Sequence, residues 1–593
     1  MPFPRRLVMA VGVFASLLGV GRGQNQPDVI VVGAGIAGLS AAYELAAGRA
    51  NVTVLDMASV YGGHAVMATG DLLLVDTPLQ RALGVRDTPD IAFNDFMTWG
   101  EDADPEWARY YADHVLTDIY EWVTQMGIGF DLSAKISHPA GNSVLRTHRT
   151  KGRGLALVTP IYAACVSSPQ VRFEWNMQVD RLLLENKRVV GVAGKNLRTN
   201  RPFEMRAAGV VLTTGGFQAN LEMVKQNWPK QYPYPDGLLI GAGINALGSG
   251  LQLAVAAGAQ LRRLDHQWNY VTGIPDPRTP GSRRGLNAYN AYSIWVNTEG
   301  VRFISEKTSG KFAMAAMLAQ PGQTYWSIFD EGSKRDIFVA GSSWGNFAEI
   351  EKWIYGNPDL VKTAPTIEEL AAKAGLPAAA LLKTVKRHNE MVEKGVDDDF
   401  GRFGPGKLLQ PKKILTPPFY AMQAFPLTRK SMGGVAIDLA CRVLRTDNTP
   451  IPGFFAAGEV TGLAGINGSA GLEGTFLGPS IITGRVAGRT ILAELKKARE
   501  PALLLPVEKA RITPDPHAST QLCLSCHDLP KLMQVPRAGF WHFEQVHTEV
   551  LAGKMDCMKC HADMTATFQP ERHRINRLAQ IQVCATCHKG EDR

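Results

Sequence analysis

Asp28-Val29-Ile30-Val31-Val32-Gly33-Ala34-Gly35-Ile36-Ala37-Gly38-Leu39-Ser40 decides the fold. Four apolar residues in a row, Val29 to Val32, read as a strand buried on both faces. Three glycines follow in the G-x-G-x-x-G spacing. Gly33 allows a tight turn, Gly35 lets a pyrophosphate approach the backbone, and Gly38 lets a helix, read here as Leu39 to Ala47, pack on the strand. The N-terminus of that helix presents free N–H groups to phosphate. A second apolar run, Val52 to Leu55, ends in Asp56, 23 residues after Gly33. That is the position from which a carboxylate bonds a ribose hydroxyl.

Outward from this unit, the α/β pattern continues. Lys151 to Val158 reads as a glycine turn entering a helix, Asn176 to Val192 as a hairpin, and Gly209 to Phe217 as a buried strand ending in the Gly215-Gly216 pair. Pro105 to Gly127 is mostly helical in period, and Gly248 to Gly258 is an amphipathic helix. From about Leu264 to Pro426, aromatics and short mixed elements replace the alternation. The pattern returns at Ser431 and closes with a helix from about Ser480 to Lys497. The expected organisation is a discontinuous Rossmann-like nucleotide domain, 24–263 and 427–498, with an inserted α+β cap, 264–426. The proline-bearing stretch 499–516 reads as a semi-rigid linker.

The 593 residues are 45% hydrophobic and 20% charged, as a globular protein of several domains should be. The net charge of +8 comes without any Lys/Arg block, so nucleic acid is not an expected partner. Arg5 and Arg6 precede an apolar run, Leu7 to Val20, and the small-residue site Gly21-Arg22-Gly23. This is the three-part form of an export signal over 1–23. Its 14 apolar residues fall short of the about 20 a membrane span needs, although an uncleaved anchor stays open. A periplasmic location is expected.

Six of the eight cysteines lie in 517–593, as three Cys-x-x-Cys-His units: Cys523, Cys526 and His527; Cys557, Cys560 and His561; Cys584, Cys587 and His588. This spacing reads as c-type haem attachment, two thioethers and a proximal His for each of three haems. An immediate His in every repeat and an exported context weigh against zinc. So short a segment buries little core of its own, and the haems would serve as its centre, with little regular structure around them. His517, His542, His547 and His573 offer four candidates for three distal iron positions. Cys165 and Cys441 are isolated and read as buried small hydrophobes.

Several motifs together resemble the flavoprotein family of fumarate reductase and succinate dehydrogenase, in particular its soluble periplasmic flavocytochromes c. They are Gly33 to Gly38, Thr213-Thr214-Gly215-Gly216, Val296 to Glu306, Met432-Gly433-Gly434 and Ala456 to Gly462. The resemblance spans roughly Val29 to Leu495 and implies FAD, a cap closing over the isoalloxazine, and hydride exchange between flavin N5 and a substrate carbon. It implies that Gly215, Gly216, Gly458 and Glu459 lie against FAD, with Ala37 and Gly63 beside the glycine turn. His64 falls where membrane-bound members attach FAD covalently and soluble ones carry Asn, so a covalent bond and a polar contact both stay open. Resembled flavocytochromes carry an N-terminal haem domain, usually with four haems, whereas here the units are C-terminal and number three.

The family's substrate residues are replaced. Gly310, in Thr308-Ser309-Gly310-Lys311, stands for the proton-donating Arg. Tyr270 stands for a substrate His, Tyr289 falls near a substrate Arg, and Arg429-Lys430 replaces a His pair. The Arg expected in Asn467 to Gly471 is missing. Fumarate therefore lacks its bidentate carboxylate grips. Tyr270, Tyr289, Tyr292, Trp268 and Trp295 suggest an aromatic pocket for a substrate with at most one anionic group near Arg429 or Lys430, unless they are cap core. Tyr270 or Tyr289 is the candidate acid, with Lys311 behind them. The expected partners are a small organic substrate and a membrane quinol-linked or periplasmic cytochrome. An electron carrier without its own substrate is the competing reading, and a true fumarate reductase is a third.

Overall fold

The computed structural model describes residues 26–132, 141–341, 344–405, 407 and 410–496. The export signal, the linker and the whole Cys-x-x-Cys-His segment, with Cys523, Cys526, Cys557, Cys560, Cys584, Cys587 and all seven of its candidate His ligands, lie outside the described residues.

Val29–Val32 is buried at every residue and hydrogen-bonds in parallel to Gly209–Leu212 on one side and Val52–Asp56 on the other. A strand flanked in this way can be apolar throughout, because neither face meets water. The sheet runs Arg442–Leu444, Pro450–Ala456, Gly209–Leu212, Val29–Val32, Val52–Asp56, Val171–Trp175, antiparallel only at its first pair. The first helix spans Ile36–Ala47, starting directly after Gly35 instead of at Leu39. Gly38 therefore lies inside it, where a Cβ would stand 1.9 Å from the Gly33 carbonyl oxygen. The last helix, Leu477–Glu494, packs on the first through Gly484 and Gly488. That approach brings Arg485 and Arg489 to the fully buried Glu44, which needs such partners in a dry interface.

The expected hairpin is present as Met177–Glu185 and Arg188–Asn196, extended by Pro202–Arg206. The cap is a second sheet built on Phe419–Ser431, with Gln267–Pro275 and Tyr325–Asp330 antiparallel beside it. The boundary drawn at 426/427 falls inside this 13-residue strand, which carries its last residues down to the nucleotide domain. Leu239–Ile240, ahead of the cap in sequence, also pairs with it. A small sheet of Asp71–Leu73, Thr147–Thr150 and Phe130–Asp131 carries Asp71 and Arg149, whose charges reach Tyr289 of the cap. Fully buried Arg146 holds it in place by two 2.8 Å bonds to Asp87 and a further bond to Asp95.

Candidate functional site

A cleft opens along the glycine turn. Gly35, Ala37, Gly62, His64, Thr213, Gly215, Arg429, Lys430, Glu459 and Phe476 are among its lining residues. Gly33 takes φ +114°, and a Cβ there would meet the Thr213 carbonyl oxygen at 2.4 Å. A Cβ on Gly35 would meet nothing within 4 Å. The space at Gly35 is thus open where a pyrophosphate needs it, while the turn around it is closed. The His64 Nε2 is buried and unpartnered, while its Nδ1 stands 3.9 Å from Glu459 Oε2. These residues fit FAD. Burial pushes the His64 imidazole down to about 4, helped by the Arg429 charge, so it is neutral at ordinary pH.

Gly63 (φ +50°) opens the short 3₁₀ turn that carries His64 and sits against Gly35. Gly458 packs on Ala37. Glu459 accepts a 2.9 Å bond from the Ser431 N–H. Gly216 lies against Ser431 and Glu459, so it shapes the wall behind Glu459, whereas Gly215 lines the cleft. Asp56 accepts from the Ala34 and Ala58 N–H groups at 2.6 and 2.7 Å. One oxygen thus fixes the glycine turn at Ala34 and the other the chain just after its own strand, roles the ribose reading did not include.

Opposite, a β-bulge shapes the cap wall. Trp268 pairs with Lys430 but Asn269 with Thr428, leaving Arg429 as the extra residue. A bulge re-aims side chains, and both cations reach one phenol: Arg429 lies 6.0 Å and Lys430 5.9 Å from the Tyr270 ring centroid. Arg429 is buried and donates to the Gly241 carbonyl at 2.5 Å. Burial lowers Lys430 to about 8, although the Glu473 charge opposes this. Among the described residues no carboxylate stands within 4 Å of its ammonium. Burial raises the Tyr270 phenol, and the neighbouring Glu473 charge adds to the rise. Tyr289 is 38% exposed, and burial and the Glu473 charge raise it too.

Three expectations need correction. The Lys311 ammonium is committed to Glu101 at 2.5 Å and the Trp99 carbonyl at 3.0 Å, not to the phenols, because it starts a cap helix that abuts Trp99. Trp295 is buried and stacks on Tyr325 at 4.5 Å, so it is cap core. Tyr292 stands under Lys412, a cap contact. Trp268 does join the site, edge-on to Phe476 at 5.4 Å.

The sequence reading missed Asp71, Arg149, Arg153 and Glu473. Arg149 grips Asp71 through two bonds of 2.7 and 2.9 Å. Arg153 crosses to the cap, donating to the Gly341 carbonyl at 2.9 Å. Glu473, half-buried, feels Lys430, Asp71, Arg149 and Arg429. Apart from Arg153, in the glycine turn at 151–158, these residues lie in no recognisable motif, and only their pairing in space marks them.

Residues 28–477 match the FAD binding domain family. A KsdD-like steroid dehydrogenase of Mycobacterium tuberculosis is 32% identical over 555 residues, covering 79% of this chain and 96% of its own length. A fumarate reductase (cytochrome) of Shewanella frigidimarina is 32% identical over 476 residues, covering 79% and 78%. Among solved structures, the open conformation of a flavocytochrome c3 fumarate reductase superposes with TM-score 0.64 at 29% identity over 79% of each chain.

Proposed function

The chain belongs to the FAD-binding flavoprotein family that holds the fumarate reductases and the KsdD-like steroid dehydrogenases, and we propose that it reduces or desaturates a C–C bond of an enone or mono-acid, not of fumarate. It is an FAD-dependent oxidoreductase acting on CH–CH bonds. The observation that carries the proposal is the wall opposite the cofactor cleft, where the Tyr270 phenol stands beside Lys430 and the Tyr289 phenol faces Glu473, Arg149 and Asp71. Two carboxylates call for two free guanidinium forks. Here Arg149 is closed on Asp71 and Arg429 is tied to Gly241. A single carbonyl or carboxylate against Lys430 suits the site better. The likeness to a KsdD-like steroid dehydrogenase makes a polycyclic enone the first candidate.

FAD, when bound, supplies the hydride chemistry. Gly35 leaves room for its pyrophosphate, and Glu459, held by Ser431, offers a carboxylate oxygen at its edge. Lys430 and Arg429 orient one polar end of the substrate. Tyr270 keeps its proton at neutral pH, because burial raises it, and so can donate to carbon.

We also propose export to the periplasm and three c-type haems on 517–593, relaying single electrons. The three Cys-x-x-Cys-His units and the signal-like N-terminus support this. A pyridine haemochrome assay should give three haems per chain with a low-spin, bis-His spectrum; one haem per chain, or a high-spin ferric spectrum, overturns it. For the substrate, purified protein with reduced methyl viologen should turn over an enone or mono-acid and lose that activity in Tyr270→Phe. The fumarate reductase (cytochrome) likeness favours the second reading, fumarate itself. Fumarate turnover at about 1–1,000 per second would establish it. Turnover of nothing in the panel would leave the electron-carrier reading.

A further inference from the structure

We propose that Glu473 is the proton reservoir of the cleft, the carboxylic acid that returns a proton to Tyr270 after the phenol has given its own to the substrate carbon. The inference rests on the C–C redox reading above and adds a residue to it.

Geometry places Glu473 over the working face. It sits in a short loop laid against the cap strand and clamped on both sides. Gly471 is closed on Trp268, where a Cβ would stand 2.7 Å from the ring. Gly474, at φ +90°, accepts the Leu73 N–H at 3.1 Å, and a Cβ there would stand 2.4 Å from that nitrogen. Phe476 meets both Trp268 and Lys430. Trp268 and Tyr270 are two apart on one strand and so share a face. The loop therefore holds Glu473 over the side that carries Tyr270 and Lys430.

The groups that face Glu473 are Lys430 and Arg429 from the cap strand, Asp71 and Arg149 from the small sheet, and the phenols of Tyr270 and Tyr289. Among the described residues no Lys or Arg nitrogen lies within 4 Å of its carboxylate. Asp71 is locked to Arg149, and Glu459 holds the Ser431 N–H. Of the two described carboxylates that act on Tyr270, Asp71 is thus ion-paired and Glu473 is left to change protonation. Burial and the Asp71 charge push it above the ordinary 4.5, toward the range in which a relay works.

The step balances. With bound FAD supplying the hydride to one olefinic carbon, the Tyr270 O–H bond would break and a C–H bond form at the neighbouring carbon. The phenolate then takes the Glu473 proton, and solvent reprotonates the carboxylate.

The test uses the holoenzyme with Glu473→Gln and Glu473→Asp. Glu473→Gln should lower kcat on the order of 10²-fold, leave KM in place and remove one limb of the kcat pH profile, and Glu473→Asp should restore most of it. An infrared titration should show a carboxylic C=O band that vanishes in Glu473→Gln and titrates above the ordinary 4.5. Unchanged kcat and pH profile, or a rise in KM alone, overturns the proposal. So does the absence of that band. If the wild type turns over no enone or olefinic acid, the reaction reading fails while the infrared titration still decides whether Glu473 holds the proton.

Discussion

Lys430 holds its Nζ 3.4 Å from the centroid of the Phe476 ring. A desolvated ammonium over an aromatic face keeps some favourable electrostatics without a counter-ion, and burial brings its titration down to about 8. The charge is present below that value and lost above it. The KM for an anionic or carbonyl substrate should therefore rise as pH passes through about 8. Lys430→Met should show a higher KM that no longer depends on pH there. A KM that is equally pH-dependent in the variant would place the titrating group elsewhere.

Gly35 and Gly38 should separate cofactor binding from folding. Gly35 has φ −72° and open space around its missing Cβ, so Gly35→Val should yield folded but colourless protein, with FAD affinity reduced more than tenfold. Gly38→Val forces a Cβ onto the Gly33 carbonyl and should destabilise the fold by about 1–3 kcal/mol or more. Denaturant melts and flavin absorbance of the two variants give the comparison.

His64 should contact the flavin without a covalent bond. Its Nδ1 is turned to Glu459 and its Nε2 is free in the cleft. Acid precipitation should leave the yellow colour in the supernatant, and His64→Ala should weaken FAD by about 0.5–1.5 kcal/mol. Colour in the pellet would mean a covalent bond.

Two buried histidines away from the site should govern acid stability. His148 and His388 are 0% and 1% exposed, and burial lowers both to about 4. In the unfolded chain they titrate at about 6.5. Between these values the unfolded state binds more protons, so stability rises with pH through the window and is lost on acidification. At about pH 5 each should cost about 2 kcal/mol relative to neutral pH. Urea melts of the wild type and His388→Gln at the two pH values measure it, and the variant should lose less.

Lys311→Ala should keep its kcat within a few-fold, since the ammonium is held by Glu101 and the Trp99 carbonyl. A partly exposed pair contributes about 0–1 kcal/mol, so only a small loosening of the cap is expected, read as a modest rise in KM. A kcat loss of about 100-fold would return Lys311 to the proton path.

The sequence by itself determined the nucleotide domain. A doubly buried strand, a glycine turn and a following helix interact within a few residues of one another, and each needs particular residue types: no side chain fits at Gly38, and nothing polar fits at Val29–Val32. The family resemblance of its motifs also assigned Tyr270, Arg429 and Lys430 to one substrate site. Only the tertiary structure decided what those groups can do. Strand register is a long-range property, and one extra residue at Arg429 turns two adjacent cations toward the same phenol, where simple alternation would send them to opposite faces. Trp295 and Lys311 looked equivalent to Trp268 and Lys430 in sequence, yet the fold consigned one to the cap core and the other to Glu101. Glu473 carries no motif at all. Its meaning comes from a loop clamped between Trp268 and Leu73, which are close in space and far apart along the chain.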